Sequence, residues 1–158
     1  LPRKARAARP GDWRWQLQNA VRTADGLEAA LALTDAERAG ARAAERAGLP
    51  LSITPYYLGL VDRDDPACPI RRQVVPQAAE AAEVEGDLRD PLGEEAHEVA
   101  PNLVQRYPDR ALLLATDRCA VYCRFCTRSR LVGAGGGAAS IERLAGAFAY
   151  LRAHAEVR

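Results

Sequence analysis

The chain has 158 residues, with 22 Lys or Arg against 21 Asp or Glu, for a formal net charge of +1. That balance argues against a dedicated nucleic-acid binder, which would carry a clearly basic patch, and the length bounds it to nominally one domain. No apolar stretch approaches a transmembrane span, and the basic start Leu1-Pro2-Arg3-Lys4-Ala5-Arg6 has no apolar region behind it to make a secretory signal, so no membrane association is expected and a cytoplasmic location is.

Residues 1–9, with Arg3, Lys4, Arg6 and Arg9, read as a solvated arm. Asp12 is placed to cap a helix through Trp13, Trp15, Leu17 and Val21, and Trp13 and Leu17 share a face at i, i+4, a spacing that predicts packing. Thr23 can cap a second short helix, and Thr34-Asp35-Ala36-Glu37 is a capping box that opens a third, ended by Gly48-Leu49-Pro50. Leu51 to Val61 breaks the helical rhythm: Pro55 forces Thr54 towards extended geometry, and Asp62 to Pro66 makes a turn. Cys68, far in sequence from the other cysteines, reads as an ordinary free thiol.

From Gln77 to Pro101 the chain turns acidic, through Glu80, Glu83, Glu85, Asp87, Asp90, Glu94, Glu95 and Glu98, and such a run reads as a solvated connector. The run Ala111-Leu112-Leu113-Leu114-Ala115 has the length and composition of a fully buried strand. On this reading residues 1–105 form a helical N-terminal region with the acidic connector at about 77–101, and residues 106–158 begin a second, catalytic part. Gly133 to Gly137 lacks the Lys-Ser/Thr of a phosphate loop and reads as a flexible link to a last helix, Ser140 to about His154. His97 and His154 have no partner at ligand spacing and read as surface residues.

The chemistry concentrates where the predicted strand ends. Cys119, Cys123 and Cys126 are spaced C-x3-C-x2-C in the following loop, with Phe125 just before the last cysteine. Three soft thiolates so close suit an iron–sulfur cluster, and a set of three leaves one iron open to a ligand. Structural zinc would ask for a closed set of four, so a non-enzymatic zinc module is the weaker alternative.

The cysteine spacing and Phe125 resemble the signature of the radical S-adenosylmethionine (SAM) superfamily. Further strings narrow the resemblance to its lysine 2,3-aminomutase (KamA-like) family: Asp12-Trp13-Arg14-Trp15-Gln16-Leu17, Ile53-Thr54-Pro55-Tyr56-Tyr57-Leu58, Asp64-Asp65-Pro66 with Pro69-Ile70-Arg71-Arg72-Gln73, Arg106-Tyr107-Pro108-Asp109-Arg110 and Cys126-Thr127-Arg128-Ser129-Arg130. They run in family order from about Gly11 to Val132. The resemblance implies an α/β fold in which a helical N-terminal region precedes the first strand–loop–helix unit of a partial (β/α)6 barrel. It implies an amino acid 2,3-aminomutase, most simply converting L-lysine to L-β-lysine, in which SAM is cleaved at a [4Fe–4S] cluster to give a 5′-deoxyadenosyl radical and pyridoxal 5′-phosphate (PLP) carries the substrate. By the same resemblance Cys119, Cys123 and Cys126 hold the cluster, Phe125 flanks the SAM adenine, and Arg128 pairs with the carboxylate of the amino acid substrate. Tyr107 and Arg110 line the PLP site, with Arg106 a candidate for its phosphate. The implied partners are an electron donor such as flavodoxin or ferredoxin, and further copies of the protein in a homo-oligomer.

The chain departs from the family in one direction. It has no methionine, its lone lysine is Lys4, and the Gly-Gly-Asp-Pro segment, the PLP-anchoring lysine and the acidic residues for the substrate's distal amine are not found. It therefore reads as an N-terminal fragment or truncated gene product, not expected to turn over alone, with residues 111–158 poorly packed because a single parallel strand has no neighbour.

Overall fold

A computed structural model describes residues 11–82, 84–133 and 138–157. The arm at 1–9 and most of the glycine link therefore lie outside the described residues. The chain divides into two compact units, one of residues 1–84 with 120–126, the other of 85–119 with 127–158.

The first unit is helical, and its helices start where side chains meet the unpaired N–H groups of a first turn. Asp12 accepts from the Arg14 N–H ahead of α1 (Trp13–Gln18), and Thr23 accepts from the Gly26 N–H ahead of α2 (Ala24–Ala30). α3 (Asp35–Arg46) opens on a complete capping box: Thr34 Oγ1 accepts the Glu37 N–H at 3.2 Å, and Glu37 Oε2 accepts the Thr34 N–H at 2.8 Å. Pro55 stands at the start of the one-turn α4 (Pro55–Leu58), after Thr54 with the expected extended ψ of 153°, and Pro69 opens α5 (Pro69–Val74). Leu27, Leu31, Leu33, Ala41, Ile53, Val61, Val74 and Val75 make the core. Trp13 is not part of it. The residue is 53% exposed, with the Arg14 guanidinium 4.4 Å from its ring centroid, because α1 is only six residues long and buries none of them.

Gly40 fixes how closely α3 approaches the chain after α5. A Cβ at this buried position would overlap the Pro76 carbonyl oxygen and press on Gln77 Cα, both backbone atoms that cannot swing away. Alanine would gain helix propensity but overpack the contact, so Gly40→Ala is expected to destabilise the chain by about 1–3 kcal/mol in urea unfolding. A neutral or stabilising result would mean that α3 can slide away from Pro76 at no cost.

The second unit holds a three-stranded sheet in the order β1 (Glu98–Ala100), β2 (Leu103–Tyr107), β3 (Arg110–Leu113), with α6 (Ile141–Ala153) against β1. Ser140 stands just ahead of α6 and caps it by accepting the Arg143 N–H, and Leu144 and Ala147 are buried. The mixed α/β composition agrees with the sequence. The strand at Ala111 differs: β3 pairs antiparallel with β2, Tyr107 opposite Arg110 and Val104 opposite Leu112, and its residues alternate exposed and half-buried. All strand pairings among the described residues are antiparallel. The reason is local. Pro108-Asp109 closes a hairpin onto the preceding strand, whereas a parallel partner needs a long crossover. The ladder groups of β3 are thus met by β2, which removes the ground for expecting a lone strand. At the other turn Asn102 adopts φ 65°, a conformation asparagine tolerates, and its side-chain amide donates to the Leu114 carbonyl at 2.9 Å.

The acidic stretch is largely exposed, but several of its acids make contacts within their own unit. Glu94 is buried, Asp90 and Glu94 face Arg130, Glu80 pairs with Arg124, and Glu98 accepts the Asn102 N–H. These acids have each found a donor, so part of the charge run encodes contacts. Cys68 is a free thiol but a buried one at the start of α5, and the backbone N–H groups of Arg71, Asp62 and Ile70 hold it below the ordinary thiol range. His97 is exposed as expected, while the half-buried His154 ring stacks on Tyr150 at 3.8 Å. No described helix is long and apolar enough to cross a membrane.

Candidate functional site

The loop carrying Cys123 and Cys126 is fastened to the core of the first unit. Ile53, fully buried, bridges to Val21 on one side and to Val121 on the other. The Thr54 N–H donates to the Ala120 carbonyl at 3.1 Å, and the Tyr122 N–H to the Ser52 carbonyl at 2.8 Å. One residue past Cys123, the Arg124 N–H donates to the Gln73 carbonyl at 2.8 Å. The Arg124 guanidinium donates to Glu80 Oε2 at 2.8 Å and to the Pro50 carbonyl at 2.9 Å. Gln73 is itself held through Oε1 by the Tyr57 hydroxyl at 2.8 Å. The strings around Ile53-Thr54, Tyr57 and Gln73 therefore form the platform under this loop, a role their sequence does not disclose.

Cys123 and Cys126 are half-buried free thiols, with the Cys126 N–H donating to the Cys123 carbonyl at 3.2 Å. Cys119 is exposed, as is Phe125 at 68%. Among the described residues no three His, Cys, Asp or Glu side chains converge as a ready-made metal site. What fits an iron–sulfur cluster is the chemistry of the donor set, soft thiolates on a loop whose backbone is already fixed.

The second unit brings the other expected residues together. Arg106, Tyr107, Arg110 and Arg128 line one cavity of about 360 Å³ beside β2 and β3, with Glu94 and His97 also in its wall. That volume lies in the small-molecule range. Arg106 Nη1 donates to the Leu92 carbonyl at 3.1 Å. Arg110 lies over the Tyr107 ring at 5.1 Å and pairs with Asp109 at 2.9 Å, which holds the Asp109 carboxyl below its ordinary range. Arg128 donates from Nε and Nη2 to Glu94 Oε1 at 2.9 and 2.7 Å. Three guanidiniums around one cavity favour an anionic ligand, and their planar forks suit carboxylate or phosphate. Glu94 is hidden in the sequence by the acidic run around it. The signal was its counterpart: Arg124, Arg128 and Arg130 crowd the cysteine loop and need carboxylates to face.

No protein-family model matches the chain. Individual proteins do. It is 45% identical over 147 residues to an L-lysine 2,3-aminomutase of Bacillus subtilis (strain 168), covering 93% of this chain and 31% of the relative. It is 43% identical over 147 residues to an L-lysine 2,3-aminomutase of Clostridium subterminale, covering 93% and 35%. A glutamate 2,3-aminomutase of Clostridioides difficile (strain 630) is 34% identical over 152 residues, covering 93% and 35%. The chain spans about a third of the length of these relatives. With that identity sustained along nearly all of its own residues, the chain belongs to the lysine 2,3-aminomutase family.

Proposed function

We propose that this chain provides the cluster-binding loop and the anion-binding cavity of a radical SAM, PLP-dependent amino acid 2,3-aminomutase acting on L-lysine. The observation that carries the reading is the shared cavity: Arg106, Tyr107, Arg110 and Arg128, chosen by resemblance, gather on one wall of the second unit. Relatives at 45% and 43% identity that are themselves L-lysine 2,3-aminomutases support lysine over glutamate.

In this reading Cys119, Cys123 and Cys126 would hold a [4Fe–4S] cluster, and Phe125 would flank SAM. When bound, cluster and SAM supply one-electron chemistry that makes a hydrogen-abstracting radical, and PLP supplies a π-system for the migrating amino group. The chain's own residues bind and orient. Arg128 takes the carboxylate of the amino acid, Arg106 and Arg110 meet the PLP phosphate with charge-assisted hydrogen bonds, and the Tyr107 ring walls the site. The apolar side chains of Leu92, Val104 and Leu112 in the same wall limit water. The loop and β3 with α6 are read as the opening strand–loop–helix unit of a partial (β/α)6 barrel. A flavodoxin or ferredoxin would deliver the electron, and the assembled protein is a cytoplasmic homo-oligomer.

The test is anaerobic reconstitution with iron and sulfide, followed by low-temperature EPR of the dithionite-reduced chain with and without SAM. A reduced [4Fe–4S] signal that changes on adding SAM is expected. Stoichiometric zinc in place of a cluster would falsify the reading.

A further inference from the structure

The function proposed above leaves one buried acid unexplained. Glu94 is 7% exposed, and both its oxygens face arginine: Oε1 accepts Nε and Nη2 of Arg128 at 2.9 and 2.7 Å, while Oε2 lies 3.5 Å from Nη2 of Arg130. Its backbone is fixed as well. The Glu94 carbonyl accepts the His97 N–H at 3.0 Å, and the next N–H, of Glu95, donates to Asp90 Oδ2 at 2.8 Å. Arg130 completes the set with Asp90 Oδ1 at 3.1 Å.

Arg128 is different from the acid that grips it. Its side chain is 40% exposed and shares the cavity wall with Glu94. A long side chain that must meet a carboxylate in one planar geometry loses rotamer freedom on binding, and that loss subtracts from affinity. A buried carboxylate that holds one edge of the fork orders it beforehand, as the support of a binding group should. We propose that Glu94 is the positioning residue for Arg128, presetting its guanidinium for the carboxylate of the amino acid substrate; the proposal rests on the reading of Arg128 given above. Glu94 does not touch substrate. It acts through Arg128, and Arg130 and Asp90 hold it in register.

The opposite effect is a real competitor, since a resident carboxylate could also neutralise Arg128 and oppose the substrate. The experiment separates the two. In the ¹⁵N-labelled chain, solvent exchange of the arginine Nε–H groups is followed by NMR, and binding of L-lysine is compared with that of its methyl ester. E94Q is expected to speed exchange at Arg128 about tenfold and to weaken L-lysine relative to the ester about tenfold, the size of one lost charge-assisted bond. Exchange at Arg110, held by Asp109 in the same unit, should not move, which shows that the fold around the site is kept. E94D should restore part of both effects. Unchanged exchange at Arg128, or L-lysine bound as tightly or more tightly by E94Q, overturns the positioning role. R128K tests the reading underneath: it should abolish the preference for the free carboxylate. If the preference survives R128K, or is absent from the unmodified chain, the assignment of Arg128 fails and the proposal with it.

Discussion

Arg71→Met is expected to cost the chain about 3–5 kcal/mol, a large part of the roughly 5–15 kcal/mol that holds a domain folded. Arg71 is the largest fully buried side chain among the described residues, and every part of its guanidinium is engaged. Nε and Nη2 donate to the two oxygens of Glu37 at 2.8 and 2.7 Å, Nη2 to the Ala32 carbonyl at 2.7 Å, and Nη1 to the Arg63 carbonyl at 2.7 Å. Methionine fills similar volume, so the loss comes from acceptors left dry rather than from a cavity. Both tryptophans, Trp13 and Trp15, lie in the same unit and can report its urea unfolding. The pair also sets an acid limit. The Arg71 hydrogen bond, against desolvation and helped by the Thr34 N–H, holds the Glu37 carboxyl below its ordinary range. A carboxylate with a depressed folded pKa contributes stability that is fully present above its unfolded pKa, about 4.3, and lost as pH falls through the folded value. Arg71→Met should therefore flatten the acid slope as well as lower the plateau. The double change with Glu37→Met should recover much of the loss, because an apolar pair leaves no buried charge. A loss under about 1 kcal/mol with the slope intact would mean that water reaches this pair and screens it.

What could be read from the sequence follows the range over which each feature is encoded. Asp12, Thr23 and Thr34 cap their helices within a few residues, and each is legible because its partner N–H is equally close. Pairing across the chain was not. Glu37 announces itself as the closing residue of a capping box, yet its other oxygen contacts belong to Arg71, on a different helix. Ala111 to Leu113 has the apolar character of a buried strand, but its register depends on the Pro108-Asp109 hairpin and gives it one half-buried face. Periodicity placed Trp13 with Leu17, and a six-residue helix gave that face little to cover. At the candidate site, the cysteine spacing speaks for itself, while Arg106, Tyr107, Arg110 and Arg128 were chosen only by resemblance. Their common cavity is information the spacing could not supply. Glu94 was hidden for a related reason: a carboxylate reads as solvated until its arginines are located.

Cys123→Ser is expected to abolish the cluster, with iron and sulfide falling to background after reconstitution and no reduced [4Fe–4S] signal in EPR. Serine keeps the shape but offers a hard, protonated hydroxyl where iron wants a soft thiolate. The loss can be assigned to ligation because the loop does not depend on the thiol for its place. Its backbone is tied to Ser52, Thr54 and Gln73 by hydrogen bonds of 2.8 to 3.1 Å, none of which involves sulfur. Cys119→Ser and Cys126→Ser should behave alike, since a three-cysteine cluster has no spare ligand. Cys68→Ser should keep full iron content and supplies the control, as that thiol lies buried at the start of α5. Arg124→Ala tests the platform itself. It removes the bonds to Glu80 and Pro50 without touching a thiol, and should weaken cluster retention about tenfold, the scale on which supports of metal ligands act. If Cys68→Ser emptied the chain of iron as completely as Cys123→Ser, the cysteines would be acting through the fold and not as ligands. If Arg124→Ala retained the cluster fully, a loop free to move would be organised by the metal, and the fixed backbone would be incidental to binding.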